Sequence, residues 1–134
     1  MTAFSWRLRA YYEDTDAGGV VYHTNYLKFF ERARTEWLRS LGFSQARMAV
    51  QEGVLFSVVE LTTQFRRPAR LDDALEVRST VALGGGASVN FQQEIWREGD
   101  TPELLATGLV RVACIDSKTF KPRRLPEPLR KEFA

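Results

Sequence analysis

The stretch that decides the fold is YYEDTDAGGVVYHTNYLKFFERARTEWLRSLGF, Tyr11 to Phe43. From Tyr26 to Leu41 its large apolar residues recur at spacings of three and four, which is the period of one helix face. No glycine or proline interrupts this part, and Gly42 favours a helix end. The pattern predicts a helix about 25 Å long at 1.5 Å per residue. We expect it to be buried over more than half of its circumference.

The front half of the same stretch combines acidic residues with glycines. Asp14 and Asp16 come just before Gly18-Gly19. Aspartate side chains bond their own backbone and glycine accepts a positive φ, so a turn is predicted here. The chain then enters the long helix, where Thr24 or Asn25 is expected to cap the open N–H groups. Such a helix start attracts negative charge. By spacing alone a carboxylate at this place favours a structural turn or cap over a catalytic base or nucleophile.

The remainder of the chain alternates with a period of two, which is typical of strands. The predicted strands are Phe4–Glu13, Val54–Phe65, Ala74–Leu83, Ser88–Glu98 and Glu103–Asp116. The triplet Gly84–Gly86 lacks the lysine, hydroxyl and following helix of a phosphate-binding loop, so it is interpreted as a hairpin turn. Strands joined by short turns pair antiparallel, and only the long helix can cover one sheet face. The fold class is therefore α+β, with a five-stranded antiparallel sheet wrapped around one long central helix.

Length and composition narrow the possible functions. A chain of 134 residues predicts one domain, 1–134, with a sizeable core. A net charge of +2 does not indicate nucleic-acid binding. One cysteine cannot form an internal disulfide, and no apolar run suits a signal peptide or membrane span, so we expect a cytoplasmic protein without membrane insertion. One histidine and one cysteine are too few for a zinc site, so no metal or cofactor is expected.

Three segments together resemble one known family. They are D-T-D-A-G-G-V-V-Y-H (Asp14–His23) with the helix after it, FSVVELTTQFRRPARLDDALEV (Phe56–Val77) and KPRRLPEPL (Lys121–Leu129). They resemble the hotdog-fold acyl-CoA thioesterases, in particular the Tol–Pal-associated (YbgC-type) branch of the 4-hydroxybenzoyl-CoA thioesterase family. The resemblance covers nearly the whole chain. It implies the hotdog fold and hydrolysis of acyl-CoA to free acid and coenzyme A.

The resemblance also implies the site residues. The catalytic carboxylate of the family falls on Asp16, and the peptide N–H that polarises the thioester carbonyl falls on His23. Asp14 is then expected to position the turn. An imidazole can act as an acid or a base, but we favour a positioning role for the His23 side chain over proton transfer. Tyr22 and Arg70 are the expected substrate-binding residues.

Basic side chains allow two interpretations. Those of the tail, Ser117–Ala134, form either a solvated segment over the sheet edge or, with Arg66, Arg67 or Arg70, a binding site for the phosphates of coenzyme A. The solvated segment is the favoured interpretation. The resemblance does not assign individual residues to these phosphates.

The implied assembly is a homodimer that pairs sheet edges and assembles further into a homotetramer. Its cleft would lie between subunits, with Asp16 facing strands of the other copy. Two alternative functions stay open. A hotdog hydroxyacyl dehydratase typically carries H-F-P at the helix start, where this chain has V-Y-H-T-N. A non-enzymatic scaffold for acyl-CoA or acyl carrier protein would suit the basic tail. The preferred acyl chain, and the choice between water activation and an anhydride intermediate, are not predicted.

Overall fold

The computed structural model describes residues 2–133. The strands are β1 (Thr2–Arg9), β2 (Val54–Phe65), β3 (Ala74–Leu83), β4 (Ser88–Arg97) and β5 (Glu103–Asp116). The helices are α1 (His23–Ser40), α2 (Gln45–Gln51) and α3 (Glu127–Arg130). Single 3₁₀ turns occupy Tyr12–Asp14 and Lys131–Phe133. Met1 and Ala134, the ends of the predicted domain, lie outside the described residues.

The five strands form one antiparallel sheet in the order β1-β3-β4-β5-β2. Short turns join β3, β4 and β5, so these three are neighbours as predicted. The expected pairing of the successive strands β2 and β3 is wrong, because β2 pairs with β5. β1 and β2 are the edge strands, and β2 contains a bulge between Val58 and Glu60. The register aligns Val77 with Ile95 and Ile95 with Ala106, and all three are fully buried. These buried cross-strand neighbours give the sheet one apolar face, on which α1 packs.

Helix α1 packs on that face, and it carries the largest buried aromatic residues of the core. Phe29 and Phe30 are fully buried, and each such side chain contributes about 1.5–3 kcal/mol through burial. A Cβ at Gly108 would lie 3.0 Å from the Phe30 ring, so glycine in β5 allows the close approach of the helix. Buried Gln93 donates from Nε2 to the Phe30 carbonyl (3.1 Å), which ties the helix to β4. The predicted central helix on an antiparallel sheet is confirmed.

Two predicted boundaries are wrong by three residues or more. β1 ends at Arg9 rather than Glu13, because the Ala10 N–H and C=O bond to the β2–β3 loop instead (Ala10 N to Asp73 O, 3.0 Å). The helix begins at His23, three residues before the predicted Tyr26, because its N-cap is Tyr22. Thr24 and Asn25 therefore lie in the first turn and do not cap it.

The basic tail covers one end of the core between α1 and the sheet. Leu125 and Leu129 are buried in the half of the core that contains Trp37, while Lys121 and Arg124 are exposed. An isolated bridge between Ile115 and Pro122 holds the tail on β5. The favoured interpretation, a solvated basic segment over the sheet, matches this placement.

Candidate active site

Asp14 is the buried anchor of the loop that precedes α1. It is 5% exposed, and its two carboxylate oxygens have different partners. Oδ1 accepts from Asn25 Nδ2 and Oδ2 accepts from the Tyr11 N–H, both at 2.8 Å. The Asp14 carbonyl accepts from the Tyr22 N–H, also at 2.8 Å. Asp14 therefore fixes the loop to the first helical turn, which is the positioning role that the sequence predicted.

Asp16 lies two residues further and has a different environment. Its Oδ1 accepts from the Gly18 N–H (2.8 Å), which is an Asx turn. Its backbone closes the same turn through the Val20 carbonyl (2.9 Å) and the Gly19 N–H (3.0 Å). The side chain is exposed in the single chain. The structural turn bond predicted by spacing is thus present, and it uses only one of the two carboxylate oxygens.

The start of α1 is open. The Tyr22 side chain makes no capping hydrogen bond, and the first turn contains no acidic residue. The N–H of His23, at the first helical position, has no carbonyl from a preceding helical turn to bond. The helix dipole adds partial positive charge here. A carbonyl oxygen or an anion is therefore favoured at this helix start.

Aromatic side chains form a wall beside the helix start. The His23 ring lies 4.6 Å from the Tyr22 ring and 6.2 Å from the Phe65 ring, measured between centroids. Tyr22 and Phe65 are 45% and 51% exposed. An open groove of about 270 Å³ runs along this wall. Its lining residues are Val21, His23, Tyr26, Phe65, Arg66, Arg67 and Pro68.

The loop between β2 and β3 joins this region through Ala69. The Ala69 carbonyl accepts from the Val21 N–H (2.8 Å), and the Ala69 N–H donates to the Tyr26 hydroxyl (2.8 Å). Arg70, the predicted substrate-binding residue, forms an isolated bridge with Val20, and its side chain is exposed. Burial raises the pKa of Tyr26 above its ordinary value, so its phenol stays protonated. The loop thus brings Arg70 beside the Asp16 turn.

Sequence reasoning missed three residues of this region: Tyr26, Ala69 and Arg97. The apolar spacing of the helix predicts that Tyr26 is a core residue, but it indicates no partner for the hydroxyl. Ala69 carries no chemical signal, since it acts through its backbone. Arg97 ends β4, and only the long-range contact of its guanidinium with the Pro68 carbonyl reveals a role.

A second cavity, of about 360 Å³, lies between α1 and the β2 end of the sheet. It contains none of the predicted site residues. Phe56 and Val58 line it from β2, and Arg34 and Trp37 line it from α1. Burial lowers the pKa of Arg34, which donates to Gln93 Oε1 (3.0 Å).

The described residues contain neither a metal-binding cluster nor a membrane-spanning helix. Within residues 2–133, no three histidine, cysteine, aspartate or glutamate side chains are grouped so that they could hold a metal ion. Over the same described range, no helix has the length and apolarity needed to cross a membrane.

Comparison with known proteins assigns the family. The chain is 47% identical over 132 residues to the acyl-CoA thioester hydrolase YbgC of Escherichia coli O6:H1, covering 98% of this chain and 96% of that protein. The sequence pattern of the Thioesterase superfamily matches residues 18–103. The chain belongs to the thioesterase superfamily. The superfamily match begins after Asp16, so it does not include the candidate catalytic carboxylate.

Solved structures of thioesterases share the fold. A probable thioesterase from Bartonella henselae is 38% identical, with a TM-score of 0.85 over 93% of this chain and 100% of that chain. A 1,4-dihydroxy-2-naphthoyl-CoA thioesterase from Synechocystis is 26% identical, with a TM-score of 0.92 over 98% of this chain and 96% of that chain. The predicted hotdog thioesterase fold is confirmed.

Proposed function

We propose that this acyl-CoA thioesterase hydrolyses its substrate with the Asp16 carboxylate, while the His23 N–H polarises the thioester carbonyl. The observation that carries the proposal is the placement of an exposed carboxylate on the turn that leads directly into an uncapped helix start. A negative group then lies on the turn just before a partially positive helix start. Thioester hydrolysis needs this combination, because charge develops on the carbonyl oxygen as the nucleophile attacks.

Two chemical routes are compatible with this geometry. In the first, Asp16 accepts a proton from water, and the water oxygen attacks the carbonyl carbon. In the second, Asp16 itself attacks, coenzyme A leaves as the thiol, and water opens the mixed anhydride. Both routes give the free acid and coenzyme A. In both, donation from the His23 N–H stabilises the developing oxyanion.

The remaining predicted residues would bind the substrate. The exposed Tyr22 ring and the His23 ring offer an apolar surface for the pantetheine arm, which makes the His23 side chain a positioning group. Arg70 is exposed beside the turn, and Arg66 and Arg67 line the open groove. Guanidinium groups bind phosphates by bidentate hydrogen bonds, so these arginines are the proposed contacts of the coenzyme A phosphates.

A second copy of the chain would enclose the site. Asp16 is exposed in the single chain, and the free edge of β2 carries half-exposed apolar side chains. They are Val58 (48%), Val59 (52%), Leu61 (39%) and Phe65 (51%). Exposed apolar edge strands associate unless they are protected. We therefore propose a homodimer formed by antiparallel pairing of β2 with β2. Further assembly into a homotetramer stays a prediction.

Such a dimer would also supply room for the acyl group. Antiparallel pairing about the middle of β2 places Phe65 of one copy beside the Phe56 end of the other. Phe56, Ser57 and Val58 at that end line the cavity of about 360 Å³. The acyl group attached at the Asp16 turn would extend into this cavity of the second copy.

The dimer proposal is tested by a lysine substitution at the β2 edge. Val59→Lys is expected to shift the sedimentation coefficient to that of a monomer and to abolish most thiol release. Leu109→Lys is the matched control, since Leu109 is 55% exposed on β5, which is paired on both sides. A monomeric Val59→Lys protein with wild-type kcat would show that one chain forms the whole site.

The activity itself is tested by thiol release from a panel of short, long and aromatic acyl-CoAs. We expect release of free coenzyme A with at least one class. Hydration of crotonyl-CoA without thiol release would instead favour the dehydratase alternative. Binding of acyl-CoA without any turnover would favour the scaffold.

Acyl carrier protein is a second proposed carrier of the acyl group. The exposed side chains of Lys118, Lys121 and Arg124 form a basic surface on the tail, which suits an acidic partner. Thiol release from acyl-carrier-protein thioesters would test it. The buried free thiol of Cys114 accords with the cytoplasmic location that we propose.

A further inference from the structure

The guanidinium of Arg97 clamps the loop that supports the catalytic turn. Its Nη1 and Nη2 both donate to the Pro68 carbonyl, at 3.2 and 2.9 Å. Nη1 also pairs with Asp73 Oδ2 at 3.1 Å. The Arg97 and Asp73 side chains are only 22% and 21% exposed. Arg97 thus holds the loop at its beginning and, through Asp73, at its end.

The residues between these two clamped points are hydrogen-bonded to the backbone that directly follows the Asp16 turn. Asp73 Oδ2 also accepts from the Arg70 N–H (2.8 Å), which fixes the segment from Pro68 to Asp73. Within that segment, the Ala69 carbonyl bonds the Val21 N–H. Val21 is two residues before His23, and neighbouring Val20 closes the Asp16 turn by its carbonyl. Two hydrogen-bonded steps therefore connect Arg97 to the backbone that carries the site.

We propose that Arg97 and Asp73 are a positioning pair that sets the distance between the Asp16 carboxylate and the His23 N–H. This inference rests on the proposed function of Asp16. In this proposal neither residue contacts the substrate. They act through the Pro68–Asp73 segment, which has Val20 and Val21 on one side and Tyr26 on the other.

The geometry of the pair favours positioning over stability. Within residues 2–133, Arg97 Nε is buried without a hydrogen-bond partner, and Glu103 Oε1 is 3.8 Å away. Partly desolvated ion pairs with incomplete bonding contribute little net stability. The planar guanidinium of Arg97, however, fixes the Pro68 carbonyl in direction as well as distance, which a single ammonium group cannot do.

The first test is Arg97→Lys, which keeps the positive charge and removes the planar guanidinium with its two donors. We expect kcat to fall about tenfold or more, since a misplacement of 1 Å can cost about 10²-fold. KM should also rise, but by a smaller factor than kcat falls, because Pro68 lines the groove and Arg70 lies in the clamped segment. The Val21 amide should exchange its hydrogen faster, since its Ala69 acceptor is no longer fixed. Arg7→Lys is the matched control, because Arg7 pairs with Glu98 on the exposed surface (2.9 Å, 77% exposed).

A double-mutant cycle separates positioning from general destabilisation. In the Asp16→Asn background, Arg97→Lys should change the residual kcat by no more than about twofold, because the group being positioned is gone. A purely structural effect would lower kcat by the same factor in both backgrounds and would overturn the proposal. Wild-type kcat in Arg97→Lys would overturn it as well.

The outcomes also separate this inference from the proposed function. If Asp16→Asn alone keeps wild-type kcat, the proposed function fails. If Asp16→Asn is impaired and Arg97→Lys is not, only the positioning pair fails. Should Arg97→Lys not fold, Asp73→Asn replaces it, since asparagine keeps an acceptor for the Arg70 N–H and loses the ion pair. A non-additive loss of kcat supports the pair, and an additive loss or no loss contradicts it.

Discussion

The loop before α1 contains two regions that differ sharply although they adjoin. In the first, residues 11–15, the Asp14 carboxylate is buried and both of its oxygens accept hydrogen bonds from the protein. In the second, residues 16–20, the Asp16 carboxylate is exposed and only Oδ1 accepts from the turn. The comparison shows that the same side chain can be fully used by the fold or left available for chemistry. The difference depends on how many hydrogen-bond donors of the protein contact the carboxylate.

The largest expected effect on stability comes from breaking the first region. In Asp14→Asn the amide must face two donors, the Tyr11 N–H and Asn25 Nδ2, and it can accept from only one without repulsion. We expect the free energy of unfolding to fall by about 2–4 kcal/mol, because a charge-assisted bond is lost and a buried donor is left unpaired. Urea unfolding measures this.

The control is the same substitution in the second region. Asp16→Asn keeps an oxygen that accepts from the Gly18 N–H, and its surroundings are exposed. Its free energy of unfolding should stay within about 0.5 kcal/mol of the wild-type value. Equal losses in both variants would contradict the distinction between the two regions.

The fold was predictable because its signals are periodic. The apolar spacing of three and four after Tyr26 gave the helix, and the period of two gave five strands with their short turns. The order of the edge strands was not predictable from these patterns, because the pairing of β1 with β3 and of β2 with β5 joins distant parts of the chain. The end of β1 was missed since Ala10 bonds a loop more than sixty residues away.

The site was predictable only in part. Local spacing located the Asp16 turn, but it placed the helix start at Tyr26 and its cap at Thr24 or Asn25, whereas α1 begins at His23. Spacing favoured a structural role for an aspartate at this place, and the buried Asp14 carboxylate has that role. The roles of Tyr26, Ala69 and Arg97 depend on backbone carbonyls and N–H groups that meet only in the folded chain. A sequence shows side chains, so contacts made through the backbone of Ala69 leave no trace in it.

A smaller effect on stability is expected at Tyr26, whose hydroxyl bonds the loop beside the Asp16 turn. Tyr26→Phe removes the acceptor of the buried Ala69 N–H, so we expect about 1–3 kcal/mol less stability at neutral pH. The pKa of Tyr26 is raised in the folded protein, chiefly by burial. The contribution of its phenol is thus complete below the ordinary value of 10.0 and is lost as the pH rises towards the folded value. The variant should lose less stability than the wild type above pH 10.0, which urea unfolding at several pH values checks.

The smallest effect concerns the partly exposed carboxylate of Asp116, whose side-chain partners lie within seven residues of it. The N–H groups of Thr119 and Lys118 lower the pKa of Asp116 below its ordinary value of 3.8. Its contribution to stability is therefore present above pH 3.8 and is lost as the pH falls through the folded value. Asp116→Asn should be slightly less stable than the wild type at neutral pH, and the difference should close in acid. Thermal unfolding across this range measures it, and a gap that widens in acid would contradict the sign.

The central claim is that the charge of Asp16 does the chemistry and is not required by the fold. It is tested most directly by kcat for thiol release in Asp16→Asn, with acyl-CoA at saturating concentration. We predict a fall of about 10² to 10⁴-fold with substrate binding and unfolding unchanged, which is the range for a positioned base. A kcat within twofold of the wild-type value in the folded variant would contradict the claim.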